Sequence, residues 1–486
     1  MTHGISFPAD PDGSRPTSAV GREVVAEALR PVDPVGDRAA EQETAWRSRY
    51  LLHFRRLVEA GLPSPAAWHQ IAAAGLDAVR RRMVVAGEGD EADQPVESLL
   101  AAAATRDLTT VEVRGQGAPV EELQLPYRGK RLRGAELLDQ LATWERAGVL
   151  EPSAAEALRE VADHPEWLRV EGHTVAVLGA GAEMGPLRPL LSWGATVAAV
   201  DLATPAIWER VIGFANDAAG RLLVPISAAS SENLAADAGA DLLVDVPAVA
   251  DWLGSLDGRL VVGNYLYADG GAHVRVSVAA DVLGTRVATA RPDTVLAFLA
   301  TPTDAFVVPH DAVTQANRAY DERSGAAKAV ERPLRWLSRG RLLHRAYPPD
   351  ADLGIGDCLV PAQGPSYALA KRIQRWRATS ARRDGRQVSF HVAPSTRTRS
   401  VLKNRALAAA FAGAHRFGVE VFDPDTSNTL MAGLLVHDLV VGAPRNAHPW
   451  QDEAYAAVHG GLWRAPYEPR SALGLAAVLG YASVRG

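Results

Sequence analysis

The sequence predicts a doubly wound α/β fold, in which helices cover both faces of a mostly parallel sheet, preceded by a mainly helical N-terminal domain. Three observations indicate this fold. From residue 171 onward, short apolar strands alternate with helical segments, which is typical of a buried parallel sheet. The first of these strands runs into a glycine-rich turn, GAGAEMG, at residues 179–185. The next strand ends in an acid, Asp201, which lies 22 residues after Gly179.

The glycine-rich turn has the spacing with which doubly wound folds hold a dinucleotide. Gly179 permits the tight turn, Gly181 lets the backbone approach a pyrophosphate, and Gly185 lets the next helix pack on the sheet. That helix is expected to face the phosphates with its N-terminus. Asp201 is placed to bond the ribose hydroxyls, and a carboxylate there repels a 2′-phosphate. Residues 202–204 supply no arginine, so the predicted cofactor is NAD rather than NADP.

Composition excludes several classes of protein. The chain has 486 residues, enough for two or three domains, and its formal net charge of −6 gives no general attraction to nucleic acid or to an anionic membrane. The only cysteine, Cys358, cannot form an intrachain disulfide, and metal-ligand spacings are lacking, so we predict no structural metal. The sequence shows neither a secretory signal nor an apolar run of membrane-spanning length. We therefore predict a cytoplasmic protein without nucleic-acid or membrane partners.

Three regions are predicted along the chain. Residues 1–40 are rich in Pro, Gly, Asp and Ser without periodicity, and are predicted to form a flexible arm. Residues 41–170 carry apolar side chains at helical spacing and are predicted to form a mainly helical domain, for oligomerisation or as a lid. Residues 171–486 are predicted to form the dinucleotide-binding catalytic domain. Its segment 305–360 is predicted to be an insertion with helical pieces and many arginines.

A second motif, GPSYALAK at residues 364–371, begins the helix after the insertion. Tyr367 and Lys371 are four residues apart and therefore share one face of that helix. A nearby ammonium lowers the pKa of a phenol, so Tyr367 is predicted to exchange a proton with a substrate oxygen. Lys371 can also hydrogen-bond the ribose of the nicotinamide. The alternative is that both side chains lie on an exposed helix turn without a role in catalysis.

In these motifs and their order, residues 171–440 resemble the short-chain dehydrogenase/reductase family, whose nucleotide-binding domain is of the Rossmann type. The segment 179–185 looks like the glycine turn of that family, and Tyr367 with Lys371 matches its catalytic pair. The resemblance implies further cofactor contacts in four places, namely at Met184 in the glycine turn, at Asp245 beside the adenine, at Asn264 after a central strand, and at Thr398 beside the nicotinamide amide.

Three departures from the pattern of that family bear on function. Glu183 stands where the family has its middle glycine, and its carboxylate would face the pyrophosphate unless it turns away or pairs with Arg188. The serine that precedes the tyrosine in the family is absent, so Thr301 or Thr303, at the tip of the preceding strand, is predicted to hold the substrate oxygen. In the last loop, Ser395 replaces a glycine. Cofactor binding is therefore expected to be better preserved than catalysis.

The sequence predicts an NAD(P)-dependent oxidoreductase that interconverts a hydroxyl and a carbonyl on a small-molecule or carrier-bound substrate. Two alternatives remain, a non-catalytic dinucleotide-binding scaffold or sensor, and a serine hydrolase with Ser366 in a G-x-S-x-A turn. The basic run at 371–386 is predicted to be a solvated helix face, with a clamp for a phosphate or carrier-bound substrate as the alternative. The apolar segment 472–484 is either a contact in a homo-oligomer or a roof over the pocket.

Overall fold

The computed structural model describes residues 4–87, 91–227 and 233–484. Its strands are β1 (Gly4–Ser6), β2 (Val84–Ala86), β3 (Gln94–Pro95), β4 (Leu108–Arg114), β5 (Leu125–Tyr127), β6 (Lys130–Leu132), β7 (His173–Leu178), β8 (Thr196–Val200), β9 (Arg221–Ser227), β10 (Arg259–Asn264), β11 (Val295–Ala300), β12 (Ala305–Val308), β13 (Gly354–Asp357) and β14 (Val388–Val392).

The helices are α1 (Thr17–Leu29), α2 (Pro34–Glu41), α3 (Trp46–Gly61), α4 (Pro65–Arg82), α5 (Gly134–Ala147), α6 (Pro152–Asp163), α7 (Leu187–Ser192), α8 (Pro205–Asp217), α9 (Leu234–Asp237), α10 (Val246–Gly254), α11 (Gly271–Ala290), α12 (His310–Asp321), α13 (Gly325–Leu337), α14 (Pro365–Arg383), α15 (Arg399–Lys403), α16 (Arg405–Gly413), α17 (Pro424–Val440), α18 (Pro449–Ala454) and α19 (Pro469–Gly480). Short 3-10 turns lie at Val96–Leu100, Pro165–Arg169, Pro361–Gln363, Ala414–Phe417 and Tyr481–Val484.

The central sheet confirms the predicted fold class. Its strands lie in the order β14-β11-β10-β7-β8-β9-β4. The six strands from β7 onward pair in parallel, and β4 adds to the β9 edge in antiparallel direction. Counted along the chain, the parallel strands have the order 3-2-1-4-5-6 that is known from dinucleotide-binding sheets. Because helices cover both faces of this sheet, its central strands are mostly apolar, and residues 175–178 of β7 are fully buried.

The strand order places a topological switch point between β7 and β10. These two strands are neighbours, with Leu178 opposite Asn264 at their carboxyl ends. From β7 the chain continues to β8 on one side, whereas β10 lies on the other side. The connecting loops therefore leave in opposite directions, and they open a crevice at the carboxyl edge of the sheet, where open α/β folds bind their ligands.

The N-terminal residues correct the prediction of a flexible arm over 1–40. In the described part, β1 pairs with β2, and α1 packs against α2, α3 and α4. Val24, Val25 and Leu29 of α1 have no exposed surface. The Pro- and Gly-rich composition hid an apolar stripe at helical spacing, and burial of that stripe against α4 fixes the segment in place.

The region predicted as a mainly helical N-terminal domain contributes directly to the central sheet and its cover. Strand β4 pairs with β9 along its whole length, while α4 packs against α14 and α6 against α17. The predicted insertion begins and ends with β12 and β13, which pair in antiparallel fashion and enclose α12 and α13. The division into regions at residue 170 stays a prediction.

Two features are absent from the described residues. In residues 4–87, 91–227 and 233–484, no helix combines the length and the apolar character needed to cross a membrane. Within the same ranges, no three or more His, Cys, Asp or Glu side chains come together in a way that would hold a metal ion.

Candidate active site

A cleft of about 580 Å³ opens at the carboxyl edge of the central sheet. Four loops that follow parallel strands line it, and α14 lies along one side. The lining residues include 182–184 after β7, 265–270 after β10, 299–303 at the end of β11, 393–396 after β14, and Tyr367 and Lys371 of α14. The predicted site residues Met184, Thr301, Thr303, Tyr367, Lys371 and Thr398 all line this cleft.

The glycine turn between β7 and the cleft needs glycine at two positions. Gly179 has a φ of +85°, and a Cβ there would lie 3.1 Å from the carbonyl oxygen of Tyr265. A Cβ on Gly181 would lie 2.6 Å from Cγ2 of Ile207. The backbone conformation at Gly179 and the close contacts at Gly181 therefore exclude side chains, and the turn packs tightly between the loops after β8 and β10.

Asp201, at the tip of β8, holds the glycine turn. Its Oδ2 accepts a hydrogen bond of 2.7 Å from the backbone N–H of Gly181, and its Oδ1 accepts one of 2.8 Å from the N–H of Leu202. Burial raises the pKa of Asp201, and these two hydrogen bonds oppose that rise. Arg210 of α8 donates to the carbonyl oxygen of Gly181 at 2.8 Å. The sequence argument for NAD considered only residues 202–204 and missed this guanidinium.

The helix after the glycine turn begins later than predicted. Helix α7 starts at Leu187 and is six residues long, because Pro186 disfavours a helical backbone at Gly185. Residues 181–186 are therefore a loop, and the predicted helix N-terminus lies two residues beyond Gly185. Asn428 of α17 secures this loop, since its side chain accepts from the N–H of Gly185 at 2.9 Å and donates to the carbonyl of Glu183 at 2.8 Å. No motif in the sequence points to Asn428.

The Glu183 carboxylate joins the glycine turn to the loop after β14. Its Oε2 accepts a hydrogen bond of 2.8 Å from the backbone N–H of Arg399, next to Thr398. Arg188, the pairing partner considered from the sequence, instead stacks its guanidinium 3.7 Å from the ring centre of Phe214. Glu183 therefore ties together two loops that line the cleft.

Tyr367 lies beside two other aromatic rings and one hydroxyl. Its ring centre is 5.3 Å from that of His273 and 6.4 Å from that of Tyr267. Burial raises the pKa of Tyr367 to about 12, and a hydrogen bond with Thr301 opposes part of the rise. Burial also lowers the pKa of His273 to about 3, so this imidazole is neutral at pH 7. Sequence reasoning did not single out His273 or Tyr267.

Lys371 does not act on the Tyr367 phenol as predicted. Its Nζ donates to the carbonyl oxygen of Leu299 and to Oε1 of Gln374, both at 3.3 Å. Burial lowers the pKa of Lys371 to about 8, and the charge of Asp304 opposes this. The lowering of the phenol pKa expected from the four-residue spacing is not found, because desolvation of Tyr367 is the dominant effect.

The tip of β11 supplies the hydroxyl groups beside Tyr367. Thr301 Oγ1 and Thr303 Oγ1 are 2.8 Å apart, and Gln363 donates from Nε2 to Thr303 Oγ1 at 2.5 Å. The hydrogen bond between Thr301 and Tyr367 makes Thr301 the neighbour of the phenol. Thr303 links Thr301 to Gln363, a residue that sequence reasoning missed. The sequence left open which of the two threonines holds the substrate oxygen, and the structure gives them different contacts.

Two residues named from the family resemblance have other partners. Asn264 is buried at the end of β10, where its Oδ1 accepts from the N–H of Leu266 at 3.3 Å. Asp245 forms a 2.7 Å ion pair with Arg106. Residues 242–244, directly before Asp245, form a turn that leads into α10, because Pro247 favours the first turn of a helix.

The basic run on α14 is an internal ionic network rather than the predicted solvated face. Arg372 and Arg375 are buried and lie 2.9 Å and 2.8 Å from the carboxylate of Asp304. Arg375 also pairs with Glu453 at 2.5 Å, and Arg377 pairs with Asp281. These contacts use the guanidinium groups inside the fold, so they do not support the alternative of a phosphate clamp either.

The surroundings of Ser366 do not support the hydrolase alternative. A nucleophile turn requires a strand of the central sheet directly before the serine. Among the residues that the structure describes, strand β13 pairs only with β12, and the 3-10 turn Pro361–Gln363 separates it from α14. Two histidines later in the chain that could serve as its base have carboxylate partners, since His391 lies 2.8 Å from Asp438 and His437 lies 3.0 Å from Glu160.

Among solved structures, the chain has distant matches, two of which are described here. No protein-family model matches the chain, and no curated protein matches it. A thiolation-reductase di-domain from an archaeal non-ribosomal peptide synthetase matches with 13% identity and a TM-score of 0.28, over 58% of this chain and 55% of that one. The terminal R domain of the myxalamid PKS-NRPS pathway matches with 13% identity and a TM-score of 0.27, over 53% and 61%. The chain thus spans little more than half of either structure, and at this similarity neither carries a conclusion about its activity.

Proposed function

We propose that this protein is an NAD(P)-dependent oxidoreductase that reduces a carbonyl group to a hydroxyl in the cleft at the carboxyl edge of the sheet. The observation that carries this proposal is the convergence of two independent motifs on one cleft. The glycine turn reaches it through residues 182–184, and the Tyr367 motif reaches it from α14. These segments are far apart in sequence, and the switch point between β7 and β10 brings them together.

The groups around Tyr367 are suited to bind and protonate a carbonyl oxygen. In the proposal, the hydroxyls of Tyr367 and Thr301 donate hydrogen bonds to that oxygen, and Gln363 orients the threonine pair through Thr303. A bound nicotinamide supplies the hydride to the carbonyl carbon. As negative charge develops on the oxygen, Tyr367 transfers its proton to it. His273 is neutral and buried against the ring of Tyr367, so it restricts the position of the phenol.

The proposed direction follows from the protonation state of Tyr367. With a pKa of about 12, the phenol is protonated at neutral pH, and it is therefore a proton donor, as carbonyl reduction requires. Oxidation of an alcohol needs the phenolate as a base. We therefore expect reduction of the carbonyl to be faster than the reverse reaction at pH 7, and the oxidative direction to gain as the pH rises.

The proposed cofactor is NAD. Asp201 projects a carboxylate at the tip of β8, the position at which doubly wound folds bind the adenine ribose. Met184 and Thr398 line the cleft on two sides and would contact the nicotinamide half. Arg210 lies next to Asp201 and would bring a positive charge towards a 2′-phosphate. The preference between NADH and NADPH is therefore the sharpest test of this part of the proposal.

Replacement of Tyr367 by Phe tests the proposed function. The Tyr367→Phe variant should lose at least about 100-fold in kcat for aldehyde reduction, because the proton donor is removed. Its NADH affinity should stay within about twofold of the parent, because Tyr367 is not assigned to the dinucleotide. Tyr455→Phe, a partly buried tyrosine outside the cleft, is the matched control. Turnover that survives in Tyr367→Phe would show that the proton donor is another group.

The second candidate is a dinucleotide-binding scaffold without turnover. The contact between Glu183 and Arg399 favours it, because this carboxylate occupies the glycine turn and ties it to the loop of Thr398. A purified protein that binds NADH stoichiometrically, yet oxidises it with none of a broad series of aldehydes and ketones, would support the scaffold. Detectable turnover that depends on Tyr367 would exclude it.

A further inference from the structure

A second, apolar pocket adjoins the cleft and extends away from the glycine turn. Its volume is about 80 Å³. The residues that line both the cleft and this pocket are Thr303, Val360, Ser395, Leu407 and Phe411. Because Thr303 Oγ1 lies 2.8 Å from Thr301 Oγ1, the apolar pocket begins immediately next to the hydroxyls that we assign to the carbonyl oxygen.

Small side chains on two packed helices create this space. Helices α16 and α19 pack closely against each other, and Ala410, Ala472 and Ala476 face the pocket from them, as do Ala414 and Ala465 from neighbouring segments. Larger apolar side chains complete the wall, namely Leu407, Phe411, Phe417, Leu462 and Leu473. The apolar segment 472–484, for which the sequence left two interpretations, thus covers a pocket with its first residues.

Two polar side chains in this wall are engaged with other protein groups, and the thiol beside them is uncharged. Arg470 pairs with the buried carboxylate of Asp357. The hydroxyl of Tyr467 donates to Glu331. Burial raises the pKa of the Cys358 thiol, which is therefore uncharged. The pocket consequently offers an apolar surface, and a ligand that enters it is stabilised by burial of hydrocarbon rather than by hydrogen bonds.

We infer that this apolar pocket holds the aliphatic substituent of the substrate, so that the substrate is a carbonyl compound with a short alkyl chain; this inference rests on the proposed function. The volume of the pocket limits the size of the chain. An apolar cavity of ~150 Å³ accommodates a benzene ring, and a pocket of about 80 Å³ accommodates a smaller group. With the carbonyl oxygen at Thr301 and Tyr367, the alkyl chain passes Thr303 and Val360 and ends among the alanines of α16 and α19.

The test measures binding and turnover for a homologous series. Linear aldehydes with two to eight carbons are assayed as substrates of the full chain, and the matching primary alcohols are titrated by calorimetry as ligands. We expect affinity to rise about fourfold for each buried methylene, and to level off once the chain fills the pocket. Benzyl alcohol should bind at least about tenfold more weakly than the best linear alcohol, because its ring needs a cavity of ~150 Å³.

Two variants alter the volume in opposite directions. Ala414→Leu fills the pocket from a partly exposed position and should move the optimum to shorter chains. Leu473→Ala, also partly exposed, enlarges it and should move the optimum to longer chains. Ala406→Leu, on the exposed side of α16 and outside the pocket, is the matched control and should leave the optimum unchanged.

The outcomes separate this inference from the proposed function. A chain-length optimum that moves as expected in both variants supports the inference. Turnover with no chain-length dependence, or with an optimum that neither variant moves, overturns the inference while the proposed function stands. Alcohol binding that follows chain length and responds to both variants, in a protein without any turnover, keeps the apolar pocket as a ligand site and overturns the proposed function.

Discussion

The carboxylate of Asp304 and the guanidinium of Arg375 form an ion pair of 2.8 Å in which both side chains are almost completely buried. Asp304 follows the tip of β11, and Arg375 lies on α14. Arg375 pairs at the same time with Glu453 of α18. The ion pair therefore holds the segment after the strand tip that carries Thr301 against the helix that carries Tyr367.

Replacement of Asp304 by Ala should destabilise the protein by about 3–5 kcal/mol, because it leaves Arg372 and Arg375 without a carboxylate in the interior. Denaturant unfolding of the parent and the variant measures the change. Asp425→Ala is the matched control, since it removes an exposed carboxylate 3.5 Å from Arg188, and should cost less than about 1 kcal/mol. Equal costs at the two positions would contradict the buried network described here.

Replacement of Gly181 by Ala should weaken dinucleotide binding by at least about tenfold. The added Cβ would lie 2.6 Å from Cγ2 of Ile207 and 3.2 Å from Oδ2 of Asp201, so the glycine turn must move away from the tip of β8. Equilibrium titration with NADH measures the effect. Gly213→Ala, in α8 with nothing within 4 Å of the new Cβ, should bind NADH normally and gain up to about 1 kcal/mol of stability.

Lys371 makes a pH-dependent contribution to stability. Burial lowers the pKa of Lys371 from 10.5 to about 8, so in that pH window the unfolded chain binds a proton that the folded chain has released. Stability therefore rises with pH through the window, and the penalty is fully present below it. At pH 7, Lys371→Met should be more stable than the parent by up to about 3 kcal/mol, and this difference should shrink towards pH 10.

Unfolding free energies of the parent and of Lys371→Met at several pH values check this expectation. Lys130→Met, at an exposed lysine of β6, corrects for the removal of a surface charge. A difference between Lys371→Met and the parent that stays constant from pH 7 to pH 10 would show that Lys371 titrates outside this window.

Replacement of Asp201 by Asn should weaken NADH binding by about tenfold. The amide has one oxygen, so it cannot accept from the N–H groups of Gly181 and Leu202 as both carboxylate oxygens do. Loss of one hydrogen bond to a charged group costs about 1.5 kcal/mol. The affinity for NADPH should fall less than the affinity for NADH, or should rise. The reason is that the variant removes the charge that repels a 2′-phosphate and leaves Arg210 in place. Parallel titrations with both nucleotides measure the change in preference.

Local patterns predicted the part of the fold that depends on local chemistry. The glycine turn, the strands around it and the helix of Tyr367 follow from periodicity and from the small size of glycine, and the structure contains each of them. The helical N-terminal residues were missed because their composition resembles that of a linker, while the apolar stripe of α1 is buried through contacts with α2, α3 and α4. A short stretch of sequence does not show which distant segment will bury its apolar side chains.

The same limit applies to the candidate site. Tyr367 and Thr301 were named from spacing and from the order of the strands. Asn428, His273 and Gln363 were not named, because each reaches the site from an element whose placement depends on the whole fold. The pKa of Tyr367 also could not be inferred, since spacing relative to Lys371 indicates a neighbouring charge but not the depth of burial.

The pairing of β12 with β13 gives the chain a modular construction. Val308 and Gly354 lie opposite each other in this hairpin, so the two ends of the intervening segment are neighbours in space. Val313 and Tyr347 within this segment are buried in the core, so changes of length are confined to its exposed part, where they can leave Thr303 before it and Tyr367 after it in place. The hydroxyl groups assigned to the substrate are thus separated from the part of the chain that is free to vary.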